Sequence, residues 1–327
     1  MTILQNALAQ FVGPNAIFYA LLAIGLNIHF GYTGLLNFGQ IGFALMGAYG
    51  VGIMVVVYNQ PLWVGIVVGL LGAGLLALVL GIPTLRLRAD YLAIVTIAAS
   101  EILRFVFRST ASDSITRSTR GINGFSASFD SLSPFDGGRR YSLLGIGFSG
   151  NDLWAMVVGW TLVALFSLLV LMLVRSPWGR VLKAVREDED AARSLGKNVF
   201  VYKMQALVLG GVIGGVGGIF NSLSIKSINP DSFSTTNTFY GYAALILGGA
   251  ATVLGPVLGA MIFWFLLSLA DNVLRELTNP ANPTITFITG DQVGAVTLLF
   301  VGVLLALLIV FRPQGMLGDK REVQLDA

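Results

Sequence analysis

Residues 175–203 read RSPWGRVLKAVREDEDAARSLGKNVFVYK, and this stretch decides the fold. It holds the basic residues Arg175, Arg180, Lys183, Arg186, Arg193, Lys197 and Lys203 around the acidic run Glu187, Asp188, Glu189, Asp190. Long uncharged runs lie on either side. No Asp, Glu, Lys or Arg falls between Asp152 and Arg175, and none between Lys203 and Lys226. A charged, helix-forming island between two apolar segments of that length faces water between two membrane crossings, where it can meet a soluble partner.

The rest of the composition agrees. The chain has 327 residues, of which 55% are hydrophobic and 11% charged. A soluble domain carries about 25% charged residues, so this chain lacks the polar surface to coat a water-exposed globule. Residues 1–85 contain no Asp, Glu, Lys or Arg. A signal peptide begins with positive charge, so the N-terminus reads as mature sequence. The formal net charge of +3 reflects loop charges and membrane topology, not nucleic-acid binding. With 0 Cys and 1 His, thiolate sites, disulfides and multi-histidine metal centres are ruled out.

A crossing needs about 20 apolar residues. Spans are expected at 14–30, 38–58, 62–83, 91–108, 152–174, 204–225, 238–254, 256–277 and 291–311. The fold class is therefore all-α and polytopic, with about 8–10 transmembrane helices in a single transmembrane domain over 1–327. Continuous apolar runs argue against strands. Gly255-Pro256 is expected to divide the long uncharged stretch 232–270 by a tight turn. Positive residues favour the cytoplasm, which places Arg86, Arg88, the 175–203 island and the tail 312–327 inside, and the loop 109–151 outside. That outer loop carries Arg108, Arg117, Arg120, Arg139 and Arg140 against Asp113, Asp130 and Asp136. The side of the N-terminus stays open. Nine crossings put it outside; a re-entrant break at 31–40 puts it inside.

Catalytic signatures are missing. The sequence has no GxxxxGK[ST] phosphate loop, no HExxH and no GxSxG. Glu101 is the clear carboxylate within a span. A conduit fits this chain better than a catalyst.

Three motifs stand out. The first is Asp190-Ala-Ala-Arg-Ser-Leu-Gly196. Its alanines leave a shallow helix face, and its glycine suits a helix end. Pro177 suits a helix start. A single cytoplasmic helix over 177–195 is expected, with Ala191 and Ala192 turned outward and Glu187–Asp190 free for basic groups on a partner. The plain alternative is an ordinary amphipathic loop. The second is GYTGLLNFGQIGFALMGAYG (Gly31–Gly50), whose six glycines weaken a regular helix. Unwound backbone at membrane depth lines a cavity or sits inside protein, so Tyr32, Asn37 and Gln40 are candidates for a translocation pathway. The alternative is a short loop with glycine-mediated packing. The third is Glu101 with Arg104 three residues on and Arg108 beyond. An intramembrane ionisable group is a functional candidate, and a structural ion pair locking two helices is the competing reading. His29 reads as interfacial, Asp271 and Arg275 as a pair one helical turn apart, and Asn229-Pro230-Asp231 as an external turn.

The DAAxxxG pattern resembles the EAAxxxG coupling loop of ABC importer permeases. It departs from it in carrying Asp190 for Glu, and in lacking the I-x-L-P that follows, with Gln205 and Ala206 in that region. Gly31–Gly50, LRLRADYLAIVTIAASEILR (Leu85–Arg104), SPWGRVLKAVREDEDAARSLG (Ser176–Gly196), INPDSF (Ile228–Phe233), LGGAATVLGPVLGA (Leu247–Ala260) and FRPQGMLG (Phe311–Gly318) occur in that order. As a set they resemble the LivM-type permeases of branched-chain amino-acid ABC transporters, over nearly the whole chain. The resemblance implies a multi-pass protein of the bacterial cytoplasmic membrane that moves leucine-like or other hydrophobic amino acids. It implies a second, LivH-type permease, two ABC ATPases and an extracytoplasmic solute-binding protein as partners. It places ATP and Mg on the ATPases and no cofactor in this chain. Glu187, Asp188, Glu189, Asp190, Ala191, Ala192 and Gly196 would form the ATPase-coupling segment. An importer of urea or short amides is the nearest alternative. An ion-coupled secondary transporter is a more distant one, which predicts more charges at membrane depth.

Overall fold

The computed structural model describes residues 3–85, 89–143, 146–278, 292–311 and 314–318. Arg86, Arg88, Arg312, Lys320 and Arg321, used above for sidedness, lie outside the described residues.

The described chain is a helical bundle. In order, the helices are α1 (Ile3–Val12), α2 (Pro14–Leu26, extended by a π-helical turn Asn27–Tyr32), α3 (Gln40–Gly52, extended by a π-helical turn Ile53–Val57), α4 (Leu62–Thr84), α5 (Ala89–Arg108), two short helices α6 (Asp113–Thr116) and α7 (Ala127–Asp130), α8 (Gly150–Arg175), α9 (Pro177–Glu187), α10 (Glu189–Ser194), α11 (Val199–Ile225), α12 (Thr236–Gly248), α13 (Gly255–Leu277) and α14 (Val293–Phe311). Every expected span has a helix over it. Among the described residues, six helical segments are long and apolar enough to cross a membrane by length and composition. α5 carries Glu101, Arg104 and Arg108, and α12 has 13 residues, so neither is a simple apolar crossing.

Among the described residues the spans are helical, as expected, and four short strands occur outside them. β2 (Arg140–Leu143) pairs antiparallel with β3 (Ile146–Ser149). β1 (Ile122–Asn123) pairs with β4 (Ser227–Ile228), tying the 109–151 loop to the turn after α11. All four lie in the connecting segments, where backbone groups need partners that no helix supplies.

The core is organised around α11. In α11, 83% of the most apolar window is buried, against 28% for α4 and 22% for α8 and α13. α11 packs on α2, α3 and α4. Glycine explains the fit. A Cβ on Gly218 would collide with the Ala44 carbonyl, and one on Gly47 with the Gly215 backbone. Small residues let helix backbones approach this closely, which is how apolar helices adhere when lipid offers no hydrophobic driving force. The outer helices turn Leu71, Leu75, Leu165 and Met172 outward, each more than half exposed, as a lipid-facing surface requires.

The contacts along α11 give the chain direction. On α2, Leu21 lies by Gly217 and Gly25 by Gly210, so α2 runs against α11. On α3, Gln40 lies by Gly210, Ala44 by Gly218 and Gly52, at its end, by Ile228 just past α11, so α3 runs with it. Residues 33–39 are therefore a reversal between two antiparallel spans, not a re-entrant break within one. The N-terminal helix α1 packs near β3, on the face that carries the 109–151 loop.

The split of the long uncharged stretch also differs in detail. α12 ends at Gly248 and the turn occupies 249–254, while Gly255 and Pro256 open α13. Proline belongs in the first turn of a helix, where its missing N–H leaves no orphan. Gly249, at φ 110°, makes the turn instead.

Candidate functional site

The charged island folds as a helical hairpin, not as the single helix expected over 177–195. Asp188 breaks it. Its backbone is extended (φ −152°, ψ 106°), and its carboxylate accepts from the Asp190 and Ala191 amides at 2.9 Å each, capping α10. An Asp at the N-cap satisfies amides that would otherwise be orphaned. α9 begins with Pro177 in its first turn. α10 ends as the glycine suggested. Gly196 sits at φ 76°, and the Lys197 amide reaches back to the Ala192 carbonyl at 3.2 Å.

The acidic run is largely spent inside the protein. Glu189 pairs with Arg193 at 2.9 Å and with Lys203 on α11, and Asp190 pairs with Arg193 at 2.5 Å. The Lys203 pair fixes α10 to the start of α11, and the two Arg193 pairs lie within α10 itself. Glu187 is exposed at the end of α9.

The alanines split. Ala192 is 3% exposed and packs with Val185 and Val199, so it faces inward, contrary to expectation. On a helix, adjacent residues sit about 100° apart, and one alanine buried sends the other out. Ala191 is exposed. Leu195 is 78% exposed beside it, in the same short, pinned helix end. Leu195 went unnoticed in the sequence because it reads as one more apolar residue. Its neighbours in an otherwise charged stretch were the available signal.

The second group is the reversal at 33–39. Asn37 and Gln40 are fully buried, Tyr32 is 1% exposed, and His29 is fully buried. His29 is thus a core residue, not an interfacial one. Its Nε2–H donates to the Leu207 carbonyl at 3.1 Å, and its Nδ1 accepts from Asn37 Nδ2 at 3.0 Å, an arrangement that fixes one neutral tautomer. Asn37 Nδ2 also donates to Gln40 Oε1 at 3.2 Å, and Gln40 Nε2 donates to the Gly210 carbonyl at 2.9 Å. Asn37 Oδ1 accepts the Gly39 amide at 3.0 Å.

Backbone freed by the reversal finds side chains on other helices. The Phe38 amide donates to Thr96 on α5, and the Ile41 amide to Thr238 on α12, each at 3.1 Å, while Tyr242 donates to the Asn37 carbonyl at 3.0 Å. Non-helical backbone at this depth stands only with such partners.

Glu101 joins elements as well. It accepts from Arg104 at 2.7 Å and from the backbone amide of Thr235 at 3.1 Å, with the Thr235 hydroxyl as a further donor. Arg104 and Arg108 both reach Asp231, at 2.7 and 3.3 Å, so Arg108 serves Asp231 and not Glu101. The Asn229-Pro230-Asp231 turn is a 3₁₀ segment Pro230–Phe233 that Asn229 caps. Asp271 and Arg275 pair at 2.7 Å.

Among the described residues, no group of three or more His, Cys, Asp and Glu is arranged to hold a metal. The polar groups brought together here hold backbone in place; none is arranged as nucleophile and base.

A bundle of apolar spans around a glycine-rich central helix, with a charged hairpin at one end, defines a membrane permease subunit. The family described as branched-chain amino acid transport system, permease component, matches residues 13–311, and the chain belongs to that family. It is 30% identical over 315 residues to the high-affinity branched-chain amino acid transport system permease protein LivM of Escherichia coli K12, covering 93% of this chain and 68% of that one. It is 24% identical over 351 residues to the probable branched-chain amino acid transport permease LivM of Methanocaldococcus jannaschii, covering 92% and 91%. Among solved structures, PsaBC from Streptococcus pneumoniae in complex with Fab aligns with 14% identity and a TM-score of 0.41, over 100% of this chain and 96% of that one. The chain is a LivM-type permease subunit of an ABC importer and a multi-pass protein of the bacterial inner membrane.

Proposed function

We propose that this chain forms one half of the translocation pathway of an ATP-driven importer for leucine, isoleucine, valine or related hydrophobic amino acids. ABC importer permeases work with ATPase and binding-protein partners. Here the set comprises a second, LivH-type permease, two ATPases that bind ATP and Mg, and an extracytoplasmic binding protein that selects the cargo. This chain hydrolyses nothing and carries no cofactor.

The observation that carries the coupling part is the α9–α10 hairpin, which holds an exposed Ala191 and Leu195 on a helix pinned by its own ion pairs. An apolar tip on a rigid, charged base suits a groove on a soluble subunit. Glu187 sits at its edge, and Asp188, Glu189, Asp190, Ala192 and Gly196 shape it from within. Tyr32, Asn37, Gln40 and Glu101 act by fixing the backbone that borders the pathway. The substrate reading rests on the relatives named above.

Reconstitution tests it. With all partners present, leucine-loaded binding protein should stimulate ATP turnover and uptake together, and the permease pair alone should do neither. Uptake without the ATPases would defeat the importer reading. Competition by urea in place of leucine for the cognate binding protein would move the substrate and leave the coupling claim standing.

A further inference from the structure

We propose that Arg186 is a positioning residue that ties the ATPase-docking hairpin to the reversal of the first span; this rests on the importer reading above. Arg186 lies on the last turn of α9, and its Nη1 donates to the Gly31 carbonyl at 2.7 Å, 155 residues away in sequence. The chain then folds over the arginine stem. Gly34 has φ 73°, and a Cβ there would touch Arg186 Cγ at 3.4 Å. The contact is therefore two-sided, hydrogen bond on one side and packing on the other.

The carbonyl that Arg186 holds is in an unusual place. Asn27–Tyr32 is π-helical, a rare, wide turn that is found frequently at functional sites. The same turn is gripped from a second side. Asn27 Nδ2 donates to the Thr252 carbonyl at 2.7 Å, and Asn27 Oδ1 accepts the Ala251 amide at 2.8 Å. It leads directly into the reversal whose Gln40 is bonded to α11. A displacement of the hairpin thus has a direct route, through a charge-assisted bond, to the π-helical turn and the reversal that follows it.

The test uses the whole transporter with its binding protein. Arg186→Ala should lower the cargo moved per ATP hydrolysed by about tenfold, the scale of one lost charge-assisted hydrogen bond. ATPase subunits should still copurify with the chain. Thr33→Cys, in a chain with no other cysteine, provides a second reading. Its maleimide reactivity should differ between the nucleotide-free and the ATP–vanadate states with Arg186 present, and should stop following nucleotide in Arg186→Ala. A merely structural role would not move that difference. Arg186→Lys places one ammonium near the same carbonyl without the planar fork and should give an intermediate ratio. If Arg186→Ala fails to accumulate, Arg186→Lys decides alone. A wild-type cargo-to-ATP ratio, or a nucleotide-dependent Thr33→Cys signal in the absence of the guanidinium, overturns the proposal. ATPases that fail to copurify with the unaltered chain overturn the importer reading itself.

Discussion

At the scale of single residues, burial separates two kinds of polar group. Gln40 is fully buried and bonds both Asn37 and the Gly210 carbonyl. Replacing it with Ala removes two buried hydrogen bonds, each worth about 0.5–1.5 kcal/mol. Gln40→Ala should lower the unfolding midpoint of the detergent-solubilised protein, read by thermal denaturation. An unchanged midpoint would mean the network bears no load. Leu195 is the opposite case, an apolar side chain 78% exposed at a helix end. Leu195→Asp should leave that midpoint unchanged and reduce ATPase copurification at least about tenfold, as loss of a central interface contact does. Ala192→Trp should instead destabilise the hairpin, since its side chain packs on Val185 and Val199. A matched loss of ATPase binding at full stability in Ala192→Trp would put Ala192 back on the docking face.

At the scale of elements, the spans were legible because twenty apolar residues in a row have few other fates. The glycines were legible as packing residues but not as partners. No periodicity says that Gly218 meets Ala44 or that Gly47 meets Gly215. Gly218→Leu should separate α3 from α11 and abolish accumulation of the protein in the membrane, measured by immunoblot of membrane fractions, whereas Gly294→Leu on α14, where a Cβ meets nothing within 4 Å, should be tolerated. The hairpin was legible in composition and not in shape. Helix propensity and charge both run straight through Asp188, and only the capping geometry of that one carboxylate makes two helices of one. His29 was misplaced for a related reason. Its position near the end of a span suggested an interface, but the π-helical turn and the reversal carry it back against Leu207. Asn37 and Glu101 bond near neighbours in Gln40 and Arg104, but the partners Tyr242, Gly210 and Thr235 lie 134 or more residues away, and pairings that distant leave no local trace.

At the scale of the whole molecule, the sidedness argument from positive charge meets an independent constraint. β1 on the 109–151 loop pairs with β4 after α11, and Gly52 at the end of α3 lies against Ile122 and Ile228. The α3–α4 turn, the 109–151 loop and the α11–α12 turn therefore share one face of the bundle. Two of the five arginines that marred the outer loop in the sequence are answered there, Arg120 by Asp113 and Arg108 by Asp231, and Lys226 after α11 pairs with Asp130 of the loop at 2.7 Å. The hairpin carries exposed Arg180, Lys197 and Arg193 and lies at the opposite end of α8 and α11. Single cysteines at Gln60, Asp136 and Lys197 test the arrangement, since the chain has none of its own. In intact cells, an impermeant maleimide should label Gln60→Cys and Asp136→Cys and should reach Lys197→Cys only after permeabilisation. Labelling of positions 60 and 136 on different sides would break the shared face that the β1–β4 pairing defines. Labelling of position 197 alone would keep the fold and invert it in the membrane, placing the docking hairpin where no ATPase can reach it.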